Sequence, residues 1–276
     1  MGLIPENKRR VIDRVEKKRI MIYGKPGQGK TYLANSFPDP LLINTDGNWI
    51  YVDAPHIEIK EDNTGRVKPW DNFKAVVDEL AKYEQPFKTI IVDLLDDVYE
   101  YARRTVMERE EWTHEDDGGS YGKPYKIIAD EFIPVIERLL GLDYENIILL
   151  VHEKTMTLTK RTGAKYDVIC PKLTSGIIDK LTGKVGLVAR IVKAGTEQTG
   201  YTYTLYLESN SDQDCGFSRL TDKTELPATY EAINEIFNIN PMERAQTVRT
   251  AVCIDTRGTV QKTSLRKLTE REVDGE

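Results

Sequence analysis

The run Arg19-Ile20-Met21-Ile22-Tyr23, followed by Gly24-Lys25-Pro26-Gly27-Gln28-Gly29-Lys30-Thr31, leaves a chain few ways to fold. The apolar run reads as a buried strand and the glycines as a tight loop. Thr31-Tyr32-Leu33-Ala34-Asn35-Ser36 reads as the first turns of a helix. Every required position of the pattern GxxxxGK[ST] is filled. In that setting glycines let backbone N–H groups turn inward, and the unpaired N–H groups of a helix start face an anion. A lysine at position 30 reaches the β and γ oxygens of a bound nucleotide, and a threonine at 31 holds Mg²⁺. Gly24, Pro26, Gly27, Gln28, Gly29, Lys30, Thr31 and Tyr32 are therefore candidate nucleotide-binding residues, with ATP and Mg²⁺ as the expected cofactors.

With 276 residues the chain is long enough for one full α/β core with appendages. Its 39% hydrophobic and 30% charged residues are the proportions of a soluble globular protein, and no apolar run has the length of a membrane span. The segment Met1-Gly2-Leu3-Ile4-Pro5-Glu6-Asn7-Lys8 lacks a secretory apolar region, so a cytoplasmic location and no membrane partner are expected. Cys170, Cys215 and Cys253 are isolated and His56, His114 and His152 scattered, which argues against a metal site built from protein ligands alone. A net charge of −6 argues against a generally basic nucleic-acid coat, while leaving room for a local basic segment.

From about residue 18 to 240, short apolar strands alternate with helical stretches, the pattern of an α/β fold with a mostly parallel central sheet flanked by helices. Strands are expected over Arg19–Tyr23, Leu41–Asn44, Thr89–Val92, Ile147–Val151, Leu187–Val192 and Tyr201–Leu207. Phe73, Val76, Val77 and Leu80 recur at helical spacing, as do Ile128, Phe132, Val135, Ile136 and Leu139, with Pro134 a candidate kink. Two stretches read as long connections, which commonly carry function. Glu108–Lys123 is acidic and then glycine-rich. Glu153–Lys172 carries Lys154, Lys160, Arg161, Lys165 and Lys172 against Glu153 and Asp167. Beyond Pro241 the chain is polar. Val248–Ile254 and Thr259–Thr263 either pair as a hairpin around Arg257-Gly258 or form part of a tether, the reading preferred here. The expected division is an N-terminal segment (1–17), one nucleotide-binding domain (18–240) and a polar extension (241–276).

Asp93 ends the apolar run Thr89-Ile90-Ile91-Val92, about sixty residues after Lys30. In a parallel sheet its tip lies on the same edge as the glycine loop, where a carboxylate can hold the hydration shell of Mg²⁺; with Thr31 it is the candidate metal ligand. Hydrolysis also needs a group that positions water. Asp46, at the tip of Leu41-Leu42-Ile43-Asn44-Thr45, and Asp97 are both eligible, with Asp46 favoured, although Asp46-Gly47 is also a plain turn sequence. His152 ends Ile147-Ile148-Leu149-Leu150-Val151 and is placed to hydrogen-bond a γ-phosphate.

Together with the glycine loop, five further segments resemble the RecA-like, AAA-type ATPases of bacteriophages known as the Sak4-like recombination proteins. They are Leu42-Ile43-Asn44-Thr45-Asp46-Gly47, Ile90-Ile91-Val92-Asp93, Tyr121-Gly122-Lys123-Pro124-Tyr125, Ile148-Leu149-Leu150-Val151-His152-Glu153-Lys154 and Cys215-Gly216-Phe217-Ser218-Arg219. The resemblance covers roughly residues 17–225. It implies a RecA-like P-loop core in a host cytoplasm, single-stranded DNA binding in recombination or annealing, and assembly into a ring or filament. A single-strand DNA-binding protein is a further partner to test. It makes Asp46 the counterpart of the water-activating acid, usually a glutamate and one methylene longer, and His152 the γ-phosphate sensor. In such assemblies nucleotide sits between subunits, so Arg219, with Lys184 as runner-up, is the candidate charge donated to a neighbour's phosphates. Lys154, Lys160, Arg161 and Lys165 are candidates to track a DNA backbone and Tyr166 to stack on a base; Trp112 and Tyr121 offer further stacking within an acidic stretch. A nucleotide or small-molecule kinase and an ATP-binding module that does not hydrolyse are the alternatives.

Overall fold

The computed structural model describes Asn7 and residues 15–61, 67–82, 85–119, 122–159, 163, 165–208, 216–238, 250–254 and 260–264. The elements in order are β1 (Lys18–Gly24), α1 (Lys30–Asn35), β2 (Pro40–Asn44), β3 (His56–Glu58), α2 (Pro69–Lys82), β4 (Thr89–Asp93), α3 (Leu95–Arg109), α4 (Lys123–Gly141), β5 (Asn146–Thr159) and β6 (Lys165–Pro171). They continue with α5 (Ser175–Thr182), β7 (Leu187–Thr196), β8 (Gly200–Tyr206), β9 (Phe217–Ser218), β10 (Glu225–Pro227), α6 (Tyr230–Phe237), β11 (Thr250–Ile254) and β12 (Val260–Ser264). Short 3₁₀ turns lie at Asn48–Tyr51 and Glu115–Gly118. The chain divides into one unit of Glu16–Asn234 and another of Met1–Val15 with Glu235–Glu276. In the latter β11 pairs antiparallel with β12, the pairing that the sequence offered beside the tether; the connecting residues 255–259 lie outside the described residues.

The larger unit is built on one mixed sheet in the order β10-β8-β7-β1-β5-β4-β2-β3, with β6 attached to β5 and β9 to β7. Pairing is parallel from β3 through β2, β4, β5 and β1 to β7, and antiparallel beyond. Because side chains alternate across a strand, the near-continuous apolar runs fill two cores. Met21, Tyr23, Val92, Leu149 and Val151 face one core with α2 to α5, while Ile20, Ile22, Ile91, Ile148 and Leu150 are buried on the opposite side, where α1 packs. The helical spacing read from sequence matches the inward stripe of α2, where Phe73, Val77 and Leu80 are buried, and that of α4, while the α3 stripe was not read. Leu95, Val98, Ala102 and Val106 of α3 are buried, as are Ile128, Phe132, Ile136 and Leu139 of α4. α4 runs through Pro134 as one helix.

Two expectations need correction. Glu153–Lys172 is not a loop. β5 continues past the sheet to Thr159 and pairs antiparallel with β6, from Glu153↔Pro171 to Thr159↔Lys165, so backbone hydrogen bonding organises most of the stretch. The connection Glu108–Lys123 is shortened by α3 and by the turn Glu115–Gly118. Trp112 packs against the core beneath it and over Gly118, where an added Cβ would meet its ring at 2.5 Å, so it is not presented for stacking. Tyr121 lies outside the described residues. No helix among the described residues is long and apolar enough to cross a membrane.

Candidate nucleotide site

Parallel register carries the predicted residues to one edge of the sheet. Gly24 at the end of β1 lies opposite His152 of β5, and Asn44 at the end of β2 lies opposite Asp93 of β4. From that edge the chain turns through Gly27 and Gly29 at φ 76° and 88°, a left-handed backbone that only glycine adopts freely. Gly29 is also crowded, since a Cβ there would lie 3.1 Å from the Tyr203 ring. A cavity of about 350 Å³ opens over this loop, lined by Pro26, Gly27, Gly29, Lys30, Thr31, Tyr32, Asp46, Asp93 and His152 among others.

Within it, Lys30 Nζ donates to the carbonyls of Gly24 (2.9 Å) and Lys25 (3.0 Å). Burial pulls its ammonium below the ordinary value, against the opposing charges of Asp93, Asp96, Asp46 and Glu153. Thr31 Oγ1 donates to Asp93 Oδ2 at 2.7 Å, while Asp93 Oδ1 is buried with no hydrogen-bond partner. A hydroxyl beside a carboxylate with one bare oxygen is an oxygen-only donor set that fits a hydrated Mg²⁺. Asp46 Oδ1 accepts from Asn44 Nδ2 (2.9 Å) and from the Asn48 backbone (3.0 Å), and Oδ2 accepts from the Asn48 amide. Oδ2, with one donor, thus retains a lone pair on a residue that lines the cavity. Asp97, the competing acid, accepts the Thr45 hydroxyl at 2.9 Å. Burial raises its pKa against that hydrogen bond.

Burial also lifts the Asp93 carboxyl from 3.8 to about 6, against the Thr31 hydrogen bond and with Asp46 adding to the rise. Since its folded pKa lies above its unfolded one, the folded state binds the extra proton between pH 4 and 6, and stability falls as pH rises through that window. At neutral pH the ionised, unliganded Asp93 costs the fold roughly 3 kcal/mol. Asp93→Asn is therefore expected to raise the urea-unfolding stability of nucleotide-free protein at pH 7.5 by about 1–3 kcal/mol, with the gain shrinking toward pH 4. An unchanged or lowered stability at pH 7.5 contradicts the burial argument.

Not every predicted residue joins this cluster. The Gln28 side chain turns to β7, where its Oε1 accepts the Lys193 N–H at 2.5 Å. Arg219 donates to the carbonyls of Gly183 (3.1 Å) and Val185 (3.4 Å), next to the start of β7 and thus at the sheet edge away from the glycine loop. Lys184, beside it, pairs with Glu137 at 3.2 Å. Lys154 Nζ folds back onto the Leu173 carbonyl (2.8 Å), Lys165 and Tyr166 are exposed on β6, and Lys160 and Arg161 lie outside the described residues. Sequence reasoning passed over Asn44, Thr45 and Asn48, which pin the Asp46 turn and the start of α3. It also missed the partners of Asp96 and the pair Glu153–Arg190. The polar triplet at the end of β2 was the only local signal.

A glycine loop at the tip of the strand β1, with a hydroxyl–carboxylate pair across the next strand but one, defines a P-loop nucleoside-triphosphatase site. The family model described as an AAA domain matches residues 16–216. The chain belongs to this family of ATP-binding, ATP-hydrolysing domains, for which ATP with Mg²⁺ is the implied ligand. Comparison with curated protein sequences gives no match. Among solved structures, the chain is similar to the flagellar accessory protein FlaH of Methanocaldococcus jannaschii at 9% identity and a TM-score of 0.34, over 78% of this chain and 84% of FlaH. It is also similar to the ATPase DotB of Legionella pneumophila at 8% identity and a TM-score of 0.32, over 93% of this chain and 61% of DotB. Likeness at that level carries no weight for function.

Proposed function

We propose that this chain is a Mg²⁺-dependent ATPase whose turnover is coupled to single-stranded DNA, working as an assembly of like copies in phage recombination or annealing. The observation that carries the coupling is the continuity of β5. One strand holds His152 in the nucleotide cavity and, six to seven residues on, pairs Leu158 with Tyr166 and Thr159 with Lys165 on the exposed hairpin. A shift of His152 with nucleotide state thereby moves a basic, aromatic edge.

In the reaction, water attacks the γ-phosphorus in line with the leaving oxygen. The new P–O bond forms as the bond to the β–γ bridging oxygen breaks, ADP departs, and the water proton passes to Asp46. Lys30 compensates charge on the β and γ oxygens, and Thr31 and Asp93 are the residues that would hold Mg²⁺, whose charge neutralises the phosphate oxygens when bound. Arg219 is the residue proposed to reach a neighbour's phosphates, releasing its own-chain carbonyls on assembly. The donors already on Asp46 favour, as a second reading, a module that binds ATP without turning it over.

ATP turnover measured with and without a single-stranded oligonucleotide tests these readings. Stimulation supports the first; tight binding without turnover supports the second, and turnover that requires a nucleoside acceptor indicates a kinase. For the hairpin, Tyr166→Ala is expected to weaken oligonucleotide binding by about tenfold, within the range for losing a base–aromatic stack. Lys165→Ala should reduce the salt slope by about 0.7 if it meets one phosphate. Fluorescence anisotropy across a salt series reads both, and wild-type values in both variants refute the assignment.

A further inference from the structure

The structure assigns Asp96 as a positioning residue: it fixes the orientation and tautomer of His152, so that the ring presents Nε2 to the terminal phosphate of the bound nucleotide. The inference rests on the functional reading above only in placing that phosphate in the cavity.

Asp96 lies in the first turn of α3, and its side chain is only 3% exposed. A buried carboxylate at that depth has to be satisfied by donors, and both of its oxygens are engaged by His152 of β5. Oδ1 accepts the backbone N–H of His152 at 3.0 Å and Oδ2 faces the ring Nδ1 at 3.1 Å. Lys172 completes the arrangement. Its Nζ lies 3.4 Å from Oδ2, and its backbone N–H donates to the His152 carbonyl at 2.7 Å. Burial alone would push the Asp96 carboxyl up. The hydrogen bonds from the His152 ring and backbone, with the charges of His152 and Lys172, outweigh it and hold the group below its ordinary value.

An ionised carboxylate only accepts, so Nδ1 must carry the hydrogen. The ring lines the cavity, and Nε2 has no protein partner among the described residues. In the neutral ring Nε2 offers a lone pair to water ordered at the terminal phosphate. In the imidazolium it offers an N–H to a phosphate oxygen. Both roles need the same ring orientation, and Asp96 supplies it from outside the reacting atoms. No local motif marks Asp96, because its partner is 56 residues away in sequence.

The test uses the full chain, whose three histidines make imidazole ¹⁵N spectra assignable with His56→Gln and His114→Gln. Wild-type His152 is expected as the Nδ1–H tautomer. In Asp96→Ala it should relax toward the Nε2–H form, with kcat for ATP falling about tenfold, as for other orienting partners of functional histidines. ATP affinity should stay within about twofold. Asp96→Asn offers one acceptor where the carboxylate offers two: with its oxygen on the His152 backbone N–H, its amide donates to Nδ1, so this near-isosteric variant should also shift His152 to the Nε2–H form and lose turnover. A wild-type Nε2–H tautomer overturns the proposal whatever the variants do, including an Asp96→Ala that fails to fold. So does an Asp96→Ala with unchanged tautomer or unchanged kcat. If the wild-type protein hydrolyses nothing, the catalytic reading fails separately, and the tautomers of wild type and Asp96→Ala alone decide for or against Asp96.

Discussion

Lys30→Ala is expected to abolish measurable ATP turnover, with kcat down by at least about 10²–10³-fold, the scale for removing one preorganised charge from a transition state. The structure shows why the loss is electrostatic. Lys30 is 6% exposed and its ammonium is held against the carbonyls of Gly24 and Lys25, where a phosphate oxygen can take over from either. Around it stand Asp93, Asp96, Asp46 and Glu153. With Lys30 in place this acidic edge accommodates a polyanionic nucleotide; without it, the same carboxylates repel the γ-phosphate. ATP affinity should fall with turnover, whereas the fold persists because alanine strands only two carbonyls beside a solvent-open cavity. Phosphate release, titration calorimetry and far-ultraviolet circular dichroism separate these effects. Turnover within threefold of wild type contradicts the assignment of the loop.

Arg190→Leu should destabilise the chain by about 3–5 kcal/mol, because it leaves a buried carboxylate without its cation. Arg190 Nε and Nη2 donate to the two oxygens of Glu153 at 2.9 and 3.3 Å, with the side chains 16% and 6% exposed. The pair ties β7 to β5 across the end of β1, the strand that delivers the glycine loop. Replacing both residues by leucine removes the two desolvation costs together and should recover most of the loss. Equilibrium urea unfolding of the two single variants and the double variant measures the coupling directly. A single-variant effect below about 1 kcal/mol would mean that the pair is solvated and not the clasp described here. Since Glu153 follows His152, the destabilised variant should also lose nucleotide affinity.

Much of the site was readable because its signals are local. Gly27 and Gly29 are required by backbone sterics over a few residues, and Lys30 and Thr31 stand at fixed offsets from them. Asp93 and His152 were legible because each is the polar residue that ends an apolar run, although only Asp93 ends its strand and β5 runs on past His152 to Thr159. The failures were non-local. Glu153–Lys172 looked like a charged loop because its lysines dominate the stretch, although Met156 and Leu158 alternate with exposed threonines and Val168 and Cys170 are buried. Glu153 was counted there among the charges of that stretch, and its pairing with the distant Arg190 buries it. Gln28 lies inside the loop pattern, yet its side chain serves β7.

The amino-acid sequence by itself determined the phosphate-binding loop, the apolar runs that lead to Asp93 and His152, and amphipathic helices that cover them, since steric and hydrophobic periodicities act within one element. Only the tertiary structure decided which groups meet: Thr31 with Asp93, Asp46 with Asn44 and Asn48, Asp96 with His152 and Lys172, Glu153 with Arg190. Those contacts depend on the strand order and register of the sheet, which bring distant residues to a common edge and which no local pattern encodes.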